Sequence, residues 1–231
     1  MNDRDGIIAR IRASNRRSGP VSDDQASANV ARMAAHKANL IPARAEGDAE
    51  TLVKRFIDFA EEVAATTTRV ARAEDVPAAV AKFLAGHNLP TDLVASPDPA
   101  LDAYPWAKQP LLTIERRAGR ADDVTSVTGA VLGIAETGSL MVRSGAKSPQ
   151  SLHFMPPNHI AVLRTADIVG SYESAWDVLR VRCAAAGEHF PPRTVTMITG
   201  PSRTSDIEKT SYVGIHGPHK LHIILVDDEG G

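Results

Sequence analysis

The spacing of apolar positions changes along the chain, and the changes divide it. In residues 1–48 large apolar side chains are sparse among Ala, Arg, Ser and Asn. Ile7, Ile8 and Ile11 share one face at helical spacing, which predicts a short amphipathic helix, and the pattern fades after Gly19-Pro20. This stretch reads as a helical arm on a body spanning 49–231. In the body, Leu52, Phe56, Phe59 and Val63 recur at i, i+4, i+7 and i+11, a helix stripe. The β-branched run at 66–70 predicts a strand. Asp75 is placed to cap a helix that turns Val76, Val80, Phe83 and Leu84 inward and stops at Gly86. Leu93-Val94-Ala95 is a short strand, and the proline-rich residues 96–110 read as a long surface loop. Residues 124–127, 131–135 and 139–142 are extended, with a hairpin at Thr137-Gly138. His159 to Leu163 is a strand. Tyr172, Ala175, Trp176, Leu179 and Cys183 form a helix stripe between a Ser171 cap and a Gly187 stop. A strand at 194–199, a short helix at 206–212 and a strand at 221–226 complete the pattern. Strands alternating with helices predict an α/β body with a largely parallel sheet flanked by helices. A right-handed crossover through the 206–212 helix would put 194–199 and 221–226 parallel in that sheet.

Composition narrows the partners. The chain has 231 residues, 43% of them hydrophobic, enough for one large domain or one domain with an appendage. A formal net charge of −2 gives no basic footprint for nucleic acid or an anionic membrane. Cys183 is the single cysteine, which excludes an internal disulfide and any four-cysteine zinc or iron–sulfur site. No apolar run approaches the roughly 20 residues that span a bilayer, and the first six residues lack an apolar signal core. The expectation is a cytoplasmic protein.

Three glycine-rich turns carry the candidate chemistry. The first to consider is Gly200-Pro201-Ser202-Arg203-Thr204-Ser205-Asp206-Ile207-Glu208. Ser205-x-x-Glu208 matches a capping box, so the turn would open a helix. Its amides would then face a ligand from the positive helix end, and Arg203, Ser202 and Thr204 would complete a cradle for a carboxylate or phosphate. The plain alternative is a structural turn with Arg203 paired to Asp206 or Glu208. In the second turn, Gly133-Ile134-Ala135-Glu136-Thr137-Gly138-Ser139-Leu140, Glu136 is a carboxylate in an apolar run. Buried, it needs partners and suits a general base or a ligand contact; at an exposed hairpin tip it does nothing. The third is Gly214-Ile215-His216-Gly217-Pro218. His216, His219 and His222 could in principle hold a metal, but the change from turn to strand keeps the rings from having to converge, so no metal is expected. His216 is better read as an acid/base or turn-stabilising group. Gly145-Ala146-Lys147-Ser148 lacks the upstream glycine of a phosphate-binding loop. Cys183 sits on a buried stripe, a core thiol. His153 and His159 read as loop and strand-start residues. No dinucleotide-binding glycine pattern is present, and no cofactor is expected.

Taken in order, with Pro156-Pro157-x-His159-Ile160 between the first two, residues 133–140, 200–208 and 214–218 resemble the lactate utilisation protein C family, the LUD domain. The likeness covers about residues 50–226. It implies a fold similar to the sugar-phosphate isomerase, CoA-transferase and formyltetrahydrofolate cyclo-ligase group. It also implies a role in oxidising L-lactate to pyruvate beside iron–sulfur partner proteins, with this single-cysteine chain as a non-redox component. Motif positions carry over, roles do not. The candidate ligand-binding residues are therefore Thr137, Gly138, Ser139, Gly200, Ser202, Arg203, Thr204 and Asp206, with Glu136 and His216 as catalytic candidates. The first two turns are expected to face one pocket for a small anion, with Arg203 its principal cation. The alternatives are an enzyme on a small anion or CoA-type substrate, by fold analogy, or a metabolite-sensing binder.

Overall fold

The computed structural model describes residues 4–15, 20–207 and 210–227, and it divides into two units, Met1–Leu40 and Ile41–Gly231. The first carries α1 (Arg4–Ser14) and α2 (Asp23–Ala35). Ser22 caps α2 by accepting the Gln25 N–H, and neither helix buries a residue.

The second unit starts its regular structure at α3 (Ala49–Glu62), where the Asp48 carboxylate accepts the Thr51 N–H at 2.8 Å. The buried stripe of α3 is Val53, Phe56 and Ala60, one position round from the expected one, with Leu52, Phe59 and Val63 at its margins. After β1 (Thr66–Val70), α4 (Val76–Gly86) buries Val76, Val80, Phe83 and Leu84 as expected. Asp75 stands at its start, but its carboxylate pairs with Arg72 instead of capping the helix. β2 (Asp92–Ala95), β3 (Thr113–Arg116), β4 (Thr125–Gly129), β5 (Leu132–Ile134) and β6 (Ser139–Arg143) follow. The chain continues through α5 (Ser151–Phe154), β7 (Asn158–Arg164), β8 (Ile168–Val169) and α6 (Tyr172–Ala185). It ends in β9 (Val195–Ile198), β10 (Arg203–Ile207), β11 (Thr210–Val213) and β12 (Lys220–Val226).

Six strands form one parallel sheet in the order β1-β12-β7-β4-β2-β3. The central strands β7 and β12 are apolar on both sides because helices cover both faces of the sheet. Ile160, Val162, Ile224 and Val226 meet α4, while Ala161, Leu163, Ile223 and Leu225 meet α3. A second sheet, β8-β5-β6-β9, lies on the α3 side. Its outer residues Leu132, Ile134 and Met141 pack on Ala175, Leu179 and Cys183 of α6. The fold class is thus α/β with a mostly parallel sheet flanked by helices, as the spacing predicted.

Two topological expectations fail. Strand β9 does not join β12; it pairs antiparallel with β6 in the second sheet, Leu140 opposite Ile198. The predicted helix at 206–212 is instead the antiparallel ribbon of β10 and β11, with Arg203 opposite Val213. The physical reason is local. A capping-box match nucleates nothing without an apolar helix face behind it, and Thr204, Ile207, Thr210, Tyr212 and Val213 are strand formers. Glu208, half of that box, lies outside the described residues.

Candidate functional site

The motif turns gather at the end of the body where the parallel strands begin. Gly138 has φ +62°, and a Cβ there would lie 2.2 Å from the Ala60 backbone nitrogen. Gly200 has φ +73°, and its Cβ would lie 2.4 Å from the Val63 carbonyl oxygen. Both turns are therefore pressed onto the last turn of α3, just before β1, and both glycines are required by backbone meeting backbone. Around them Thr137, Ser139, Tyr172 and Thr199 link hydroxyl to hydroxyl: Ser139 Oγ lies 2.6 Å from Thr199 Oγ1 and 3.1 Å from Tyr172 Oη, and Thr137 Oγ1 lies 2.8 Å from Ser139 Oγ. The third turn joins through Ser202. Its N–H donates to the Pro218 carbonyl, its carbonyl accepts from the Gly214 N–H, and its Oγ accepts from the His216 N–H at 3.2 Å.

Glu136 is buried, 5% exposed, and its Oε1 accepts the Tyr172 N–H at 2.9 Å. Tyr172 opens α6, so the carboxylate is held by the positive end of that helix, and this supplies the partner that burial requires. Arg203 and His216 are exposed and Thr204 is half-buried. Asp206 lies on β10, with its side chain outside the described ones. The Gly200 turn is followed by β10 and not by a helix, so its amides lack the helix N-terminus expected of the anion cradle.

A cavity of about 1050 Å³ opens at the opposite end of the sheet, and none of those candidates lines it. Its floor is the carboxyl ends of β4, β7 and β12 at Gly129, Arg164 and Val226, the crevice where open α/β sheets bind ligands. Buried Asp167 accepts from Arg164 at 2.8 Å and from Arg182. Arg143 bonds Glu188, and that hydrogen bond holds the Glu188 carboxyl below its ordinary range. The signal that could have located this site is the position of strand ends; of the segments singled out in the sequence, only Gly145-Ala146-Lys147-Ser148 lines it.

A sequence profile of the LUD domain matches residues 53–226. The chain belongs to the LUD domain family. It is 35% identical over 99 residues to an uncharacterised protein of Neisseria meningitidis, 43% of this chain and 40% of that one. It is 33% identical over 95 residues to lactate utilization protein C of Geobacillus kaustophilus, 41% and 39% of the two chains. The Bacillus subtilis protein of the same name is 33% identical over 102 residues, 44% and 42%. The chain thus spans about two-fifths of the length of the curated relatives it matches. A crystal structure of a DUF162 family protein from Deinococcus radiodurans aligns with a TM-score of 0.57 at 22% identity, over 78% of this chain and 99% of that one, a likeness of fold.

Within this LUD domain the histidines separate into two kinds. His216 and His219 are exposed near the third turn, whereas His222 is buried against Phe83, ring centroids 4.4 Å apart, with Nδ1 2.8 Å from Thr66 Oγ1. His153 and His159, expected as loop and strand-start residues, are both buried, the first on α5 and the second near the start of β7, with ring centroids 5.4 Å apart. His153 Nε2 lies 3.1 Å from Ser148 Oγ, and His159 Nε2 2.8 Å from Thr128 Oγ1. Burial pushes His153 and His222 down to about 4 and His159 well below its ordinary value. Among the described residues no three His, Cys, Asp or Glu side chains converge to hold a metal ion, and no helix is long and apolar enough to cross a membrane.

Proposed function

We propose that this chain is a non-redox component of an L-lactate oxidation system in the cytoplasm, working beside iron–sulfur proteins that carry the electrons. The observation that carries the reading is the LUD domain itself, shared with relatives named lactate utilization protein C. The single cysteine supports the division of labour. Cys183 is 1% exposed in the α6 core, and one thiol cannot supply the four thiolates of an ordinary cluster. In this reading the small anion of the system meets the chain at the motif end. There the hydroxyls of Thr137, Ser139 and Thr199 stand beside the Gly200 turn, with exposed Arg203 as the cation.

The test is genetic and biochemical. Deleting the gene should abolish growth on L-lactate and leave growth on pyruvate unchanged. The tagged chain, isolated anaerobically from lactate-grown cells, should bring proteins with iron–sulfur absorption. Normal growth of the deletion strain on lactate, with the chain isolated alone, would refute it. A second reading is an enzyme or sensor acting on a CoA-type substrate or other metabolite. The large crevice at the far end of the sheet favours it, and turnover by the purified chain would establish it.

A further inference from the structure

The crevice at the carboxyl ends of β4, β7 and β12 is larger than the proposed small-anion role requires. Lactate has six heavy atoms and fills roughly 100–150 Å³, scaled from the ~30 Å³ share of one water. The cavity, at about 1050 Å³, lies at the top of the range of small-molecule and cofactor sites, about 300–1000 Å³. A three-carbon acid would rattle in it, and most of the apolar wall would stay wet.

The walls have two characters. One is apolar and partly aromatic, formed by half-buried Tyr104 and Val131 over the buried Leu101 and Leu179. The other is ionic, formed by the loops at 143–148 and 188–193. Of the four acids that line the crevice, three are paired with arginines. Glu188 is bonded to Arg143, Asp167 to Arg164 and Arg182, and Asp227 to Arg69 at 2.9 Å. Asp98 accepts the Ala100 N–H at 3.0 Å. Lys147 and Arg193 also line the crevice, and among the described residues neither makes a hydrogen bond or an ion pair; Lys147 acts on Glu188 only through space. Both are exposed, and they approach the cavity from different loops. Beside Lys147, Ser148 lines the wall with its Oγ tethered to the buried, neutral imidazole of His153. Two spare cations and a fixed hydroxyl facing an apolar, aromatic wall match a ligand with an anionic end and a large flat or apolar body.

We propose that this crevice is a second binding site, distinct from the motif end, for a phosphate ester of nucleotide size. Lys147 and Arg193 hold its phosphates, and Tyr104 lies against its organic body. This deepens the second reading of the same crevice by naming its ligand class, and it does not depend on the lactate reading, because the two sites lie at opposite ends of the same sheet.

The test is titration calorimetry on the full chain with ADP, coenzyme A, inorganic phosphate and L-lactate. At least one of the two nucleotide-sized probes should bind with one-to-one stoichiometry, at least tenfold more tightly than phosphate. L-Lactate should not displace it. The double variant Lys147→Ala/Arg193→Ala should lose at least tenfold in affinity while its unfolding midpoint stays unchanged, since both side chains are exposed. Ala146→Glu, which adds a negative charge to the same exposed wall, should weaken binding as well. Arg203→Ala at the other end should leave it untouched, which separates failure here from failure of the motif-end reading. The proposal is overturned if neither ADP nor coenzyme A binds at millimolar concentration. It is equally overturned if L-lactate competes or if the double variant binds as tightly as the native chain.

Discussion

Acidification should unfold this protein through its buried histidines before its carboxylates matter. His153 and His222 are 1% and 4% exposed, and burial lowers each from 6.5 to about 4. In the unfolded chain both rings titrate near 6.5, so between pH 6.5 and 4 the unfolded state binds more protons than the folded one. Stability therefore rises with pH across that window: it is fully present above about 6.5 and is lost as pH falls towards 4. A separation of about 2.5 pH units corresponds to about 3 kcal/mol per ring in the limit and about 2 kcal/mol by pH 5. Two rings then remove about 4 kcal/mol by pH 5, a large share of a typical stability of about 5–15 kcal/mol. His159, depressed further, adds to the same trend. Urea unfolding at half-unit steps from pH 8 to 4.5 measures this directly. The slope near pH 5.5 should correspond to two to three protons taken up on unfolding. His222→Gln, which cannot titrate, should lower that number by about one. Carboxylates add little at pH 5.5, because their unfolded values lie near 4 and most of their loss falls below about pH 5. A flat stability between pH 7 and 5 would mean that the rings are hydrated or paired in the folded state, and the burial argument would fail.

Two further outcomes concern the motif end. Gly138→Ala and Gly200→Ala should each destabilise by about 2–4 kcal/mol, from a left-handed backbone and a Cβ forced against α3, whereas Gly86→Ala, with open space around it, should be near neutral in urea unfolding. Near-neutral Gly138 and Gly200 variants would show that the turns do not clamp α3. Arg203→Ala should weaken binding of L-lactate or pyruvate by about 1.5–3 kcal/mol in calorimetry without lowering the unfolding midpoint, and Arg203→Lys should restore part of the loss. Unchanged binding would make Arg203 a solvated surface residue.

What could be read from the sequence was whatever one segment decides by itself. The α4 and α6 stripes, the Ser171 cap and the doubly apolar β7 and β12 follow from local spacing, and the structure has them. The partner of β9 could not be read that way. Val195 to Ile198 is half-buried throughout, and its pairing depends on β6, more than fifty residues earlier. In the β10–β11 ribbon the β-branched residues prevail over a four-residue cap signal that points to a helix. Glu136 was ambiguous for a related reason: its partner, the start of α6, lies 36 positions away.

The same distinction bears on where function should be sought. Glycine turns are conspicuous in a sequence because glycine there is physically obligatory, yet at Gly138 and Gly200 the obligation comes from α3 pressing on the backbone. The requirement would stand with no ligand present. A ligand instead demands charge that the fold does not itself consume. By that criterion Glu136 is spent on α6, and Arg143, Arg164 and Arg182 on neighbouring acids. Lys147 and Arg193 make no hydrogen bond or ion pair among the described residues, and they stand at the wall of the crevice. They come from the loops after β6 and before β9, which converge when those two strands pair, Arg143 opposite Val195, so no local spacing rule could have linked them. The turns that reveal the family and the side chains best placed to hold a large ligand are therefore different residues, at opposite ends of one sheet.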